Sequence, residues 1–414
     1  MTINTSSELR NNAPQSTPQL GASHIGYLDG LRALAALFVL VHHVWLTAYY
    51  NIFPRPDLDH PAAPTALYSC TRFLGLGHFA VDLFIVLSGY CLTLPTMRSD
   101  GTLIGGALQF YKRRARRILP PYYAALGLSL LLIFTLVRHH TGDFWDMSIP
   151  ITTLGLATHL LLLQNFFDAP QINYVLWTIA VEWQIYFFFP LLLASWKKFG
   201  VAPTVIATVV ACLVANAGFA QLHTWPLSAI LGAHVELYSL FVFGMTAASI
   251  AHSTRGPAAA LRARINWKAT VLFICGIAIL LVAGRLLKII GSHAWVADYI
   301  VGACAAWLLV VATLDARSAI TRVCSWRPLV LIGTFAYSLY LIHAPLIQVL
   351  WQYVVKPLPL SMDARFIVLI VLAPVLIVPA SYVFYLLCEK PFLRKRKRET
   401  QSELERDATL SPAP

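Results

Sequence analysis

Eleven positions separate Arg32 from His43 in the stretch YLDGLRALAALFVLVHHVW, residues 27–45. A helix advances about 100° and 1.5 Å per residue, so eleven steps return to within ~20° of the starting face after a rise of ~16 Å. A guanidinium and an imidazole then share one face at two depths, while His42 points about 100° away. Histidine is the side chain best placed to move protons near neutral pH. Arginine forks match the oxygens of phosphates and carboxylates. Together they suit an anionic substrate held by its charged part at Arg32, with its reactive end reaching His43. Taken singly, each has a plainer role: Arg32 as an anchor snorkelling to the membrane surface, His43 as a packed core histidine.

Four other stretches carry chemistry. HFAVDLFIVLSGY (78–90) holds Asp82, which inside a bilayer needs a partner or a function, and Ser88. Ser88 precedes Gly89 without a G-x-S-x-G pattern, so a nucleophile elbow is not indicated. QFYKRRARRILPPYY (109–123) places Arg114 and Arg117 three apart, on one face if that segment is helical. Attraction to anionic lipid would explain such a cluster, and so would a phosphate site. NYVLWTIAVEWQIYFFFP (173–190) sets Glu182 among aromatic residues that include Trp177. GTFAYSLYLIHAPL (333–346) contains His343 with Tyr337 and Tyr340. Glu389, in YLLCEKPFLRKRKR, is expected to form an ion pair with a basic loop. No metal-ligand spacing is evident, so no metal is expected. The seven cysteines show no CxxC pattern and read as small apolar fillers.

The elements that position these residues follow from composition. Of 414 residues, 58% are hydrophobic and 12% charged, whereas a soluble domain carries roughly 25% charge. An all-α polytopic membrane protein is the expectation. Runs of ~20 apolar residues, the length of a crossing, predict ten spans: 31–50, 76–95, 119–137, 176–195, 202–220, 228–250, 269–290, 298–314, 328–352 and 365–388. The net charge of +12 lies in short basic connectors between these runs. That is the pattern of cytoplasmic loops rather than of nucleic-acid binding. Between the basic segments 111–117 and 197–198 only two full crossings fit. The shorter apolar stretch 151–165 is therefore predicted to be re-entrant or interfacial. Both termini are expected in the cytoplasm, with a polar tail over 1–24, a membrane domain over 25–393 and a basic, then polar, tail over 394–414.

Six of these segments, in this order, resemble the acyltransferase-3 family of bacterial membrane O-acyltransferases. They are YLDGLRALAALFVLVHH, AVDLFIVLSGY, FYKRRARRILPPY, LWTIAVEWQIYFFFP, YSLYLIHAP and CEKPF. The resemblance covers roughly 26–393. It implies ten membrane helices in a bacterial inner membrane and transfer of an acyl group, commonly acetyl from acetyl-CoA, to a hydroxyl. The implied acceptors are envelope glycans or glycolipids such as exopolysaccharide, lipopolysaccharide O-antigen or peptidoglycan. The family's catalytic histidine maps onto His43, and its donor-binding arginines onto Arg32, Arg114 and Arg117. Asp82 or Glu182 is expected to orient the imidazole, with Ser88, Trp177, Tyr337 and His343 around the substrate. Ala80, Thr178 and Trp183 depart from the family's usual residues. The rival expectation is a proton-coupled transporter or flippase of an anionic glycan or lipid, using the buried Asp, Glu and His as a relay. The absence of an internal repeat weighs against it.

Overall fold

Apolar runs of this length have one way to satisfy their backbone in lipid, which is to hydrogen-bond within themselves as helices. The computed structural model describes residues 26–393 apart from 53–61, 98, 100, 168–170, 220–233, 267–269, 271–275, 278, 281–293 and 316. The two predicted tails lie outside the described residues, as do most of the predicted span 269–290 and the start of 228–250.

Helices follow one another along the described chain with no strand among them. They are α1 (Gly26–Ala48), α2 (Ala66–Thr71), α3 (His78–Thr96), α4 (Gly106–Thr135), α5 (Thr153–Leu161), α6 (Trp177–Phe199) and α7 (Val201–Phe219). The second half comprises α8 (Glu236–His252), α9 (Pro257–Arg264), α10 (Ala294–Leu314), α11 (Ala319–Cys324), α12 (Arg327–Thr334), α13 (Ala336–Leu350) and α14 (Met362–Phe384). Among the described residues, seven helical segments are long and apolar enough to cross a membrane: Gly26–Ala48, Ala66–Thr96, Gly106–Thr135, Trp177–Phe199, Trp295–Leu314, Ala336–Val355 and Met362–Phe392. Their outer faces are apolar too. Leu131 and Phe134 on α4 and Val371 and Val375 on α14 are each more than half exposed, a surface suited to hydrocarbon rather than water. With nine residues, α5 is only ~14 Å long and does not cross. Its last turn meets the middle of α4, where Tyr122 and Tyr123 donate to the carbonyls of His159 and Leu160.

The helix α1 lies at the centre, packed against α3, α12, α13 and α14. Two backbone-to-backbone contacts fix the frame. A Cβ on Gly89 would sit 2.0 Å from the Phe241 carbonyl oxygen, and one on Gly244 would sit 1.9 Å from that of Val86. The helices α3 and α8 therefore meet through reciprocal glycines, the small-residue packing favoured between membrane helices. Likewise a Cβ on Gly333 of α12 would lie 2.1 Å from the Asp29 carbonyl oxygen of α1.

Three departures from the sequence expectation bear on the site. α1 starts at Gly26 and so takes Asp29 into its first turn. α4 starts at Gly106 rather than 119, because a helix continues through basic residues once it has left the apolar layer; charge marks the membrane's edge, not the helix's. The predicted span 328–352 is broken at Phe335 (φ −122°, ψ 19°) into α12 and α13. Hydropathy runs unbroken through this joint, and the one local sign is Gly333, two residues before it. α12 turns there after seating Gly333 on α1.

Candidate functional site

The first half of α4 brings Arg114 and Arg117 to the end of the bundle where α1 begins. There they meet Arg32 around a cavity of about 220 Å³. Arg32 is held in place by two neighbours: Nη1 donates to Asp29 Oδ1 at 2.6 Å, one turn back on α1, and Nη2 donates to Cys91 Sγ of α3 at 3.0 Å. Arg114 lies over the Phe110 ring, its carbon 5.9 Å from the ring centre. Three guanidinium groups on one mouth can bind an anion with several oxygens.

Inward from this mouth the wall is mixed. Glu182 of α6 accepts from Ser88 of α3 at 2.9 Å and from the Tyr186 hydroxyl one turn on, and Ser88 also contacts Tyr186 at 2.7 Å. These bonds meet the need of a half-buried carboxylate for donors. Tyr337 lines the cavity and donates to the Ile118 carbonyl at 3.1 Å. Tyr340 and Thr178 line its deep part, with Thr178 Oγ1 donating to the Tyr340 hydroxyl at 2.8 Å.

Beyond Tyr340 lie the histidines. The His343 ring is 5.7 Å from that of Tyr340 and 4.9 Å from that of His43. Their protonation follows from their partners. His343 Nδ1 faces the carbonyl oxygens of Tyr340 (2.8 Å) and Leu339 (3.2 Å), so Nδ1 carries the hydrogen and Nε2 a lone pair. That Nε2 lies 3.0 Å from His43 Nδ1, which is also 2.9 Å from the Val39 carbonyl. Both are acceptors, so His43 Nδ1 carries a hydrogen. His43 Nε2 is left with its lone pair, on a half-buried ring, and makes no hydrogen bond among the described residues. This is the arrangement of a general base whose tautomer is set from behind.

The expected carboxylate is therefore not the orienting group, and the sequence expectation is corrected here. Glu182 is engaged by Ser88 and Tyr186. Asp82 belongs to another cluster, with His78 Nε2 3.9 Å from its Oδ1 and 3.4 Å from Asp298 Oδ2. The donor atoms of these three lie within 4.8 Å of one another, a grouping that could hold a metal ion although no spacing motif announces it. Trp177 sits beside them rather than in the cavity, its ring 6.1 Å from and parallel to that of His78 and 4.2 Å from that of His234. Glu389, expected to pair with a basic loop, is buried and accepts from Ser338 Oγ at 2.5 Å. Four functional neighbours were missed from the sequence. Asp29 stands three residues before Arg32, a spacing that signals a helical ion pair. Nothing local sets Cys91 apart from the cysteines expected to be small apolar fillers. Tyr186 stands four residues after Glu182 on the same helix, and Asp298 lies far off in the chain.

The model of the acyltransferase domain family Acyl_transf_3 matches residues 25–386. The chain belongs to this acyltransferase-3 family. Curated acyltransferase-3 relatives include O-acetyltransferase OatA of Staphylococcus aureus (strain NCTC 8325 / PS 47), 27% identical over 353 residues. That match covers 80% of this chain and 51% of the relative. Another is "Putative peptidoglycan O-acetyltransferase YrhL" of Bacillus subtilis (strain 168), 24% identical over 339 residues, covering 78% of this chain and 49% of the relative. The chain thus spans about half the length of the curated relatives it matches. No solved structure matches it. Family and helices together make it a multi-pass membrane protein.

Proposed function

We propose that this acyltransferase-3 protein is an O-acetyltransferase that takes acetyl from acetyl-CoA and places it on a hydroxyl of a cell-envelope glycan. The observation that carries this reading is the linear order Arg32–Arg114–Arg117, cavity, Tyr340, His343–His43. An anion mouth at one end leads to a base with a free lone pair towards the other. The names of the relatives, OatA and YrhL, support acetyl as the group and peptidoglycan as one acceptor. On this proposal the arginine end faces the cytoplasm of a bacterial inner membrane, as basic residues do, and both termini lie on that side.

The diphosphate and ribose phosphate of the donor dock on the arginines, and the pantetheine arm enters the cavity. The acceptor O–H gives its proton to His43 Nε2 as its oxygen bonds to the thioester carbonyl carbon. Positive charge on His43 is stabilised through Nδ1–H by His343 Nε2. When the C–S bond breaks, the sulfur leaves and takes the proton from His43 Nε2, giving CoA-SH and the acetyl ester. A histidine base of this kind contributes roughly 10²–10⁴-fold. Membranes holding His43→Ala at wild-type levels should therefore lose labelled acetyl transfer from acetyl-CoA into glycan by at least that lower factor. Transfer at the wild-type rate refutes the role. Transport of a glycan without acetyl transfer would favour the transporter.

A further inference from the structure

Three aromatic rings continue the site past His43, on the side away from the arginines. Tyr174, in the segment leading into α6, has its ring 5.2 Å from that of His43. Phe144, in the short turn Phe144–Ser148 between α4 and α5, has its ring 6.4 Å from His43 and 4.8 Å from Tyr174, edge-on to the latter. Tyr50, just after α1, stands edge-on to Phe144 at 5.5 Å. Phe144, Tyr50 and His43 are all half-buried, so their faces remain partly open. A core would have closed over them.

The loop that presents Phe144 is held firmly. Lys356 Nζ, at the end of the α13 segment, donates to the Thr141 carbonyl at 2.6 Å and to the buried Asp143 carboxylate at 2.9 Å. Asp146 accepts from the backbone of Gly142 at 2.7 Å and of Thr141 at 3.0 Å. Three segments therefore bring aromatic rings together beside His43, Tyr174 as a buried floor and Phe144 and Tyr50 with partly open faces, and the loop that carries Phe144 is polar, with Thr141, Asp146 and His140. An acyl tail would need an apolar groove throughout. A pyranose ring has an apolar C–H face and a hydroxyl edge, and it fits an aromatic floor with a polar rim.

We propose that Tyr50, Phe144 and Tyr174 form the binding site of a sugar ring of the acceptor, which stacks on Phe144 and turns one hydroxyl towards His43 Nε2. This rests on the acetyltransferase reading for the role of the hydroxyl. Stacking on an aromatic side chain is a flat, hydroxyl-tolerant contact, so the site selects a ring shape and leaves the identity of neighbouring sugars open.

The test uses the full chain in lipid nanodiscs, with an N-acetylglucosamine tetrasaccharide as probe. Saccharide binding is followed by saturation-transfer NMR, and acetyl transfer by CoA-SH release from acetyl-CoA. Phe144→Ala should weaken saccharide binding and raise the saccharide KM about tenfold (~1.4 kcal/mol). The acetyl-CoA KM should be unchanged, and Phe144→Tyr should restore binding. Phe134→Ala, on the lipid face, should change neither. Phe144→Ala that binds saccharide as wild type does, or wild-type protein that binds none, overturns the cradle. Wild-type protein that binds saccharide in a Phe144-dependent way and transfers no acetyl leaves the cradle standing and sinks the acetyltransferase reading instead.

Discussion

Replacing His343 with phenylalanine keeps a ring in a site only 1% exposed but removes the nitrogen that faces His43. In the resting enzyme His43 Nδ1–H keeps the Val39 carbonyl, so the tautomer survives. What is lost is the support for positive charge once His43 has taken the proton. A hydrogen bond to a charged group contributes about 1.5–3 kcal/mol and a neutral one about 0.5–1.5 kcal/mol. Only the difference between the two states changes the rate. That difference, about 1–2 kcal/mol, predicts a fall in kcat of roughly 5- to 30-fold with the acetyl-CoA KM unchanged. His343→Gln should recover most of the loss, because its amide oxygen can reach the position of the ring Nε2. The assay is CoA-SH release by purified protein with a saccharide acceptor, alongside residual activity in a His43→Ala background. A kcat within twofold of wild type in His343→Phe would refute the relay. So would an undiminished effect of His343→Phe when His43 is already gone, since the two histidines act as one unit.

Arg32→Ala should raise the acetyl-CoA KM with a smaller effect on kcat, and Asp29→Asn should do the same more weakly, both measured by donor titration. Gly244→Ala should destabilise the protein by about 1–3 kcal/mol, read as a lower melting temperature in detergent, because its Cβ would fall 1.9 Å from the Val86 oxygen. Lys356→Met leaves the buried Asp143 carboxylate without its cation and should raise the saccharide KM while leaving the acetyl-CoA KM unchanged. Cys91 should be alkylated by a small maleimide slowly or not at all when CoA is present; equal labelling with and without CoA would place the donor elsewhere.

The register of α1 was legible because helical geometry is fixed: eleven steps set Arg32 and His43 on one face before any fold was known. The same holds for Arg114 and Arg117, once their segment is helical. The site's connections were not legible. His43 and His343 are 300 positions apart, and only the packing of α1 on α13 brings them together. The expectation of a carboxylate behind the imidazole came from hydrolytic enzymes, and here a second imidazole fills that place. Asp82 and Glu182 need partners wherever they lie in a membrane, but hydropathy says nothing of which helix supplies them. Ser88 and Tyr186 serve Glu182, while His78 and Asp298 surround Asp82. The loops that carry Phe144 and Tyr174 have no periodicity to read, and their aromatic residues look like any others in an interfacial belt.

The glycine contacts have a consequence for how anything crosses. Where α3 meets α8, and where α12 meets α1, main chain rests on main chain with no layer of side chains to act as a lubricant. Each joint leaves no room for even one added carbon, so these helix pairs are held at a fixed, short separation. On the proposed mechanism the scaffold stays still, and the acetyl group passes from the thioester to the acceptor hydroxyl at His43, beyond Tyr340 and its bond to Thr178. On that reading donor and acceptor meet inside a fixed frame, and neither is carried across it.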